Sequence, residues 1–352
     1  MNSSNLIIAF CLFSFSGILF SQSNKTITYI PEHKELVYTF GGQKPKLSLA
    51  PGTTLKTWTE DCYDGRVKSP SDIPTKVIPP GHDNPQTGPF YIDGAEPGDA
   101  IAVHIISLEP ANSYGISSSF PGFGALSATA YTALLHEPLE ERVWFYKVNK
   151  DKNSVSGEFP KSCHQIEIPM NKFLGCIGVA PASGEVRSTV VPEAFGGNLD
   201  TRFVCEGTTV YLPVNVPGAL LSIGDGHLVQ GSGEIIGTAV EAAMNVIIKV
   251  DLIKKGGISW PRFENDDYIT SVGSYRPLED AARIAYNDMV RWIAGRFNMD
   301  LQDAYQLVSQ TCESEIAQLV DPNYTVVVRM PKKYLPKGEF FDGMHKKIKS
   351  RN

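Results

Sequence analysis

Between residues 196 and 241 the chain reads GGNLDTRFVCEGTTVYLPVNVPGALLSIGDGHLVQGSGEIIGTAVE, a stretch that holds Asp200, Asp225, His227, Gln230, Glu234 and Glu241. Its apolar runs VYLPVNV, ALLSI and EIIGTAV have the character of strands, so the polar residues fall at strand ends and turns, where side chains converge on a shared cavity. Carboxylates and an imidazole are donors for a divalent cation, zinc first, with manganese or calcium also compatible. Such a cation lowers the pKa of a bound water from about 15.7 to about 7, which makes it a nucleophile at neutral pH. The other common routes to a nucleophile have no signature here: the chain has no G-x-S-x-G, S-x-x-K or H-E-x-x-H.

Asp225 and His227 are spaced i, i+2, so an extended chain points both to one side. His227 sits in the glycine-rich GDGHLVQGSGE between Asp225 and Gln230, a setting for function more than for a core face. Asp200 in GGNLD and Asp61 in TEDCYDG lie in loops beside small residues, as candidate ligands, although a single loop Asp also suits an Asx turn. Gly226 and Gln230 are candidates for contacting a substrate. His82, in PPGHDNPQTGP, belongs either to a loop closing over the pocket or to a solvated turn. Glu96, in DGAEPGD, is a candidate proton carrier, with a plain turn acid as the alternative.

The elements that position these groups are short β-type runs from residue 27 to about 255, separated by Gly, Pro and Asn. Within them FYIDGAEPGDAIAVHI (90–105) aligns without gaps with VYLPVNVPGALLSIGD (210–225), Pro97-Gly98 matching Pro217-Gly218. Both copies run strand, Pro-Gly turn, strand, and the match over both flanking strands predicts a duplicated β unit. After residue 276 apolar positions recur at three-to-four spacing (Ala282, Ala285, Met289, Trp292, Ile293), which predicts two amphipathic helices over 277–312. Asn298 is placed to stop the first and Asp300 to cap the second. A closing strand is expected at 324–330. The predicted class is α+β, mainly β: duplicated units forming a barrel- or sandwich-like body with two late helices.

Residues 1–21 carry an apolar run of about fifteen residues, LIIAFCLFSFSGILF, followed by small residues, and read as a removed export signal, with an uncleaved anchor as the alternative. The expected location is periplasmic or extracellular, with no membrane association after cleavage. The net charge of −6 is spread thinly, and the one basic run, MHKKIKSR near the end, predicts a solvated tail and no nucleic-acid partner. Five cysteines remain after processing, without a CxxC, so neither a disulfide framework nor a thiolate zinc site is indicated. Cys176, in FLGCIGVAP, reads as buried and inert.

The set NPQTGPFYIDGAEPGD, LGCIGVAP, GGNLDT, TVYLPVNVPGALLSIGDGH with VQGSGEIIGTAVE, and late helices before VVVRMPK resembles the acetamidase/formamidase family over roughly residues 30–335. The resemblance implies one domain over residues 22–345, hydrolysis of short linear amides to carboxylate and ammonia, and a homo-oligomer. By motif position it carries over Asp61, Glu96, Asp200, Asp225, His227 and Gln230 as pocket residues. Two features depart from the pattern: the export signal, and Tyr63-Asp64 where a smaller, glycine-containing turn is common. The leading reading is thus a metal-assisted amidase with Asp61, Asp200, Asp225 and His227 as ligands. An exported, non-catalytic small-molecule-binding protein on the same fold is the alternative.

Overall fold

The computed structural model describes residues 25–126 and 139–350. The expected export segment 1–21 lies outside them. Among the described residues the strands form two large sheets, of nine and ten strands, and a two-stranded ribbon. The nine-stranded sheet is centred on Met244–Ile253, Ala100–Pro110 and Thr209–Pro213, and the ten-stranded sheet on Gln86–Ile92, Leu221–Val229 and Phe173–Gly178. Neither closes on itself, so the body is sandwich-like and not a barrel. One core joins them, with Leu55, Val103 and Val246 from the first packing with Phe90, Ile177 and Ile223 from the second. Thr53–Thr59 alternates buried positions with half-buried or exposed ones, as expected of a strand with one face in that core.

The repeated motif pairs with itself. Gln86–Ile92, from the first copy, lies antiparallel to Leu221–Val229 of the second, while Ala100–Pro110 of the first lies antiparallel to Thr209–Pro213 of the second. The two Pro-Gly turns exchange near-equivalent backbone bonds: Gly98 N donates to Val214 O (3.1 Å) and Gly218 N donates to Ala95 O (2.8 Å). This reciprocal exchange is what a pseudo-twofold between duplicated units requires.

The helices run Leu278–Phe297 and Leu301–Thr311, ended and started by the residues expected. Asn298 takes φ +47°, and Asp300 accepts hydrogen bonds from the backbone N–H groups of Gln302 (2.8 Å) and Asp303 (3.3 Å). The buried stripe starts at Ala281 and not Ala282, then follows Ala285, Met289, Trp292 and Ile293. Ala281 faces Gly273, where a side chain would meet its carbonyl oxygen at 2.2 Å, so the glycine lets helix and sheet approach closely. The predicted closing strand is Tyr324–Pro331, paired with Tyr268–Tyr275 on one side and Glu313–Gln318 on the other.

The tail is not a solvated end. Met344–Lys349 is a helix with His345 and Ile348 buried and the lysines at 346, 347 and 349 facing out, because i and i+3 share one helical face. Among the described residues the cysteines are all free, and Cys176 is buried with its thiol directed at Thr189 O (3.4 Å). No described helix is long and apolar enough to cross a membrane.

Candidate active site

Asp225 and His227 lie on the strand Leu221–Val229, and Glu241 sits directly opposite His227 on the neighbouring Val240–Ala242. Asp200 follows the short strand Gly196–Asn198, Glu234 comes from the loop after Val229, and Asp321 from the turn before Tyr324. Each of the six is at most 6% exposed. Asp200, Asp225 and Glu234 hold φ of +45°, +57° and +47°, left-handed values that side-chain-bearing residues avoid and that concentrate at functional sites. Gly175 lies under the cluster, where a Cβ would come within 2.5 Å of both Asp200 Oδ1 and Asp225 Oδ2.

His227 Nε2 is 3.1 Å from Glu241 Oε2, 3.2 Å from Asp225 Oδ2 and 3.9 Å from Asp200 Oδ1. Its Nδ1 is 2.8 Å from Gln230 Oε1, and Phe173 packs edge-on to the ring at 4.8 Å. Asn198 Nδ2 donates to Asp200 Oδ2 and Asp321 Oδ2, both at 2.9 Å, and Asn198 Oδ1 accepts from Asn84 (2.6 Å). A framework of side-chain amides therefore holds the acids in place.

Burial dominates the electrostatics. It pushes Asp321 up to about 7 and Glu241 up to about 6, the latter opposed by His227. Burial and the neighbouring acids Glu234, Asp321 and Asp225 hold Asp200 well above the carboxylate range, and burial likewise raises Glu234. Burial alone would lower the His227 imidazole and raise Asp225. Glu241 and then Asp225 outweigh burial at the imidazole and raise His227, and His227 in turn lowers Asp225.

Five acids around one imidazole carry more negative charge than the imidazole can balance. Asp200 Oδ1 and Asp225 Oδ1 are buried without a hydrogen-bond partner, and Glu241 Oε2, although close to Nε2, makes no aligned bond. Leaving such oxygens unpaired is costly, and a divalent cation would satisfy them. Two groups have donor atoms within 4.8 Å of one another: Asp200, His227 and Glu234; and Cys62, Asp225 and Glu241. The residues present fit a divalent metal on their donor chemistry.

The structure thus brings Asp200, Asp225 and His227 together. Gln230 is beside them, but its amide is spent on His227 Nδ1 and on two backbone carbonyls, so it positions the imidazole where a substrate contact was expected. Gly226 turns away: a Cβ there would meet Met244 Cγ at 2.2 Å. Asp61 is buried but belongs to neither ligand group, because its Oδ1 accepts from Tyr63 N and Gly65 N (both 3.0 Å) in an Asx turn. His82 packs on Tyr38 at 4.5 Å with its Nδ1 3.6 Å from Asp64 Oδ2, while its neighbours Asp83 and Asn84 line the cavity. Glu96 is exposed on its turn and does not line the cavity, since the duplicated turns meet each other at the end of the strand remote from His227.

Sequence reading singled out neither Asp321 nor Asn198, Cys62 or Gly175. Asp321 lies 94 residues beyond His227 and only the fold joins them. The cavity over the cluster measures about 340 Å³. Its lining includes Asp225, His227, Glu234, Glu241, Asp321 and Cys62, the polar Thr75, Asp83, Asn84, Asn198 and Thr238, and the apolar Phe120, Pro121, Phe123, Val190 and Pro322.

The model of the acetamidase/formamidase family matches residues 44–188 and 182–336. The chain is similar to the solved acetamidase from Yersinia enterocolitica, at 40% identity and a TM-score of 0.83 over 89% of this chain and 93% of that one. It is also similar to the acetamidase structure from Bacillus halodurans, at 28% identity and a TM-score of 0.75 over 88% of this chain and 98% of that one. A formamidase from Methylophilus methylotrophus is 30% identical over 237 residues, 55% of this chain and 58% of that protein. The chain matches about three fifths of the length of such curated relatives.

Proposed function

The chain belongs to the acetamidase/formamidase family, and from that premise we propose that the buried acid–imidazole cluster hydrolyses the C–N bond of carboxamides to carboxylate and ammonia with a divalent metal. The carrying observation is the set of buried carboxylate oxygens without partners, gathered about His227 Nε2 at the base of a cavity. Asp200, His227 and Glu234 would hold the metal, with Asp225, Glu241 and Cys62 as a neighbouring donor group. Carboxylate and imidazole donors suit zinc, and manganese fits the same set. When bound, the metal would supply an activated water and polarise the amide carbonyl.

The chain's own residues do the rest. Gln230 directs Nε2 of His227 into the cluster. Asp321, raised to about 7 by burial and held by Asn198, keeps a proton near neutral pH and lines the cavity, so it is placed to protonate the leaving amine. The role first assigned to Glu96 passes to this acid.

The test is ammonia release from a panel of carboxamides by purified protein as isolated, after chelator treatment, and after return of zinc, manganese or calcium. Turnover lost to the chelator and restored by metal is the expected result. Metal-loaded protein that binds amides but releases no ammonia would overturn the reading in favour of a non-catalytic binding protein.

A further inference from the structure

We propose that this site selects carboxamides whose acyl group carries an aromatic ring or a comparably bulky apolar chain, in preference to formamide or acetamide. The proposal rests on the hydrolase reading above and names the substrate class of that same site.

The cavity lining is mixed: beside the acids and imidazole it carries the polar Thr75, Asp83, Asn84, Asn198 and Thr238 and five apolar side chains. With the amide over the acids and imidazole, an apolar acyl group has Phe120, Pro121, Phe123, Val190 and Pro322 to pack against within the same cavity. Those five side chains offer no hydrogen-bond donor or acceptor, so an acyl group packed on them gains from being apolar. Size decides further. An apolar cavity of about 150 Å³ accommodates benzene, whereas this cavity measures about 340 Å³ and leaves room for a ring as well as the amide. Formamide has only a hydrogen to place against that wall, and acetamide one methyl.

The wall is also built. Phe120 stacks on the fully buried Tyr63 at 6.4 Å, and the Tyr63 hydroxyl is fixed to Ser118 Oγ at 3.0 Å. Phe123 meets Phe120 edge-on at 6.1 Å and packs against Gly237, where a Cβ would come within 2.5 Å of the Phe123 ring. Gly237 lies three residues beyond Glu234, so one loop supplies both a candidate ligand and the space for the aromatic wall.

The experiment compares kcat/KM for ammonia release from formamide, acetamide, benzamide and phenylacetamide, using the metal-loaded protein. A single methylene in an apolar pocket is worth about tenfold or more in specificity, so phenylacetamide should exceed acetamide by at least about that factor. Val190→Phe, which fills the cavity, and Phe123→Ala, which removes a wall, should each lower the phenylacetamide-to-acetamide ratio. Formamide or acetamide matching or exceeding phenylacetamide, or a ratio unmoved by both substitutions, overturns the inference and leaves the hydrolase reading standing. Ammonia from none of the four overturns the hydrolase reading itself.

Discussion

Gln230 Oε1 stands 2.8 Å from His227 Nδ1, and the other end of the amide is committed: Nε2 donates to the carbonyls of Asp200 (2.7 Å) and Ala317 (3.0 Å). With its NH₂ fixed by two acceptors, the amide can present only its oxygen to the ring. Nδ1 therefore carries the hydrogen, and Nε2 is turned towards Asp225, Glu241 and Asp200. One side chain fixes which edge of the imidazole meets the acids and ties three segments of chain to it.

Replacing that amide should therefore be read out in metal affinity more than in folding. Gln230→Met keeps the length but removes the acceptor, and the loss of such an orienting partner typically costs about 10–100-fold in metal affinity or activity. Chelator competition on the purified variant measures this, with circular dichroism as the check on fold. Wild-type affinity would show that the ring holds its orientation through Phe173 alone.

Gly175 limits the space beneath the cluster. Its Cβ would lie 2.5 Å from carboxylate oxygens of Asp200 and Asp225 and 2.9 Å from His227 Cε1, closer than real contacts allow. Gly175→Ala should force these groups apart. A displacement of about 1 Å at a reacting site can cost about 10²-fold, so metal content and kcat/KM should both fall. Elemental analysis with amide kinetics decides it, and a variant with full metal and full rate would mean the cluster has slack to absorb a methyl group.

Glu96 and Asp321 make opposite predictions. Glu96 is exposed on the 93–99 turn, away from the cavity, so Glu96→Gln should turn over amides at the wild-type rate. Asp321→Asn keeps the shape and the hydrogen bond from Asn198 can persist, but the titrating group is gone. Turnover should drop by the roughly 10²–10⁴-fold characteristic of lost general acid–base catalysis. Parallel kcat measurements on the two variants separate these roles, and a slow Glu96→Gln enzyme would return the proton carrier to that turn.

The contrast shows what the sequence made legible. Asp225, His227 and Gln230 lie within six residues on one strand and turn, so local spacing was enough to associate them. The duplication was visible as well, because a Pro-Gly turn between two strands imposes the same residue types wherever it occurs. Its consequence comes from the pairing: the copies pair reciprocally, so the turns contact each other and Glu96 stays outside the cavity. Asp61 and Asp200 look alike in sequence, each an Asp in a loop beside small residues. Asp61 spends Oδ1 on its own turn, whereas Asp200 is left with an unpaired oxygen inside the cluster, a difference only the tertiary environment creates. The C-terminal basic run concealed a helix because the charges set its outward face, while the inward residues His345 and Ile348 gave too short a pattern to register.

That helix supplies the last prediction, which concerns stability against pH. His345 Nε2 lies 3.2 Å from Asp266 Oδ1, and its Nδ1 lies 2.8 Å from Thr209 Oγ1, which is in turn 3.0 Å from His104 Nδ1. If Nε2 donates to Asp266, Nδ1 must accept from the threonine, and the threonine oxygen accepts from His104. That arrangement is complete with a neutral His345, while His104 donates through Nδ1 in either charge state, so burial is what disfavours its charged form. Burial, with His345, Lys349 and Lys249 adding to it, lowers His104 to about 4, and burial lowers His345 as well. A histidine whose folded pKa is depressed favours the folded state above the unfolded pKa of about 6.5, and that stability is lost as pH falls towards 4, because the unfolded chain takes up the proton first. A shift of this size on His104 corresponds to a loss on the order of 3 kcal/mol between pH 7 and 4. His104→Gln retains a hydrogen-bonding group for Thr209 without the titration, so its urea midpoint should decline less over the same range. Equal declines in wild type and variant would show that His104 accepts its proton within the folded protein.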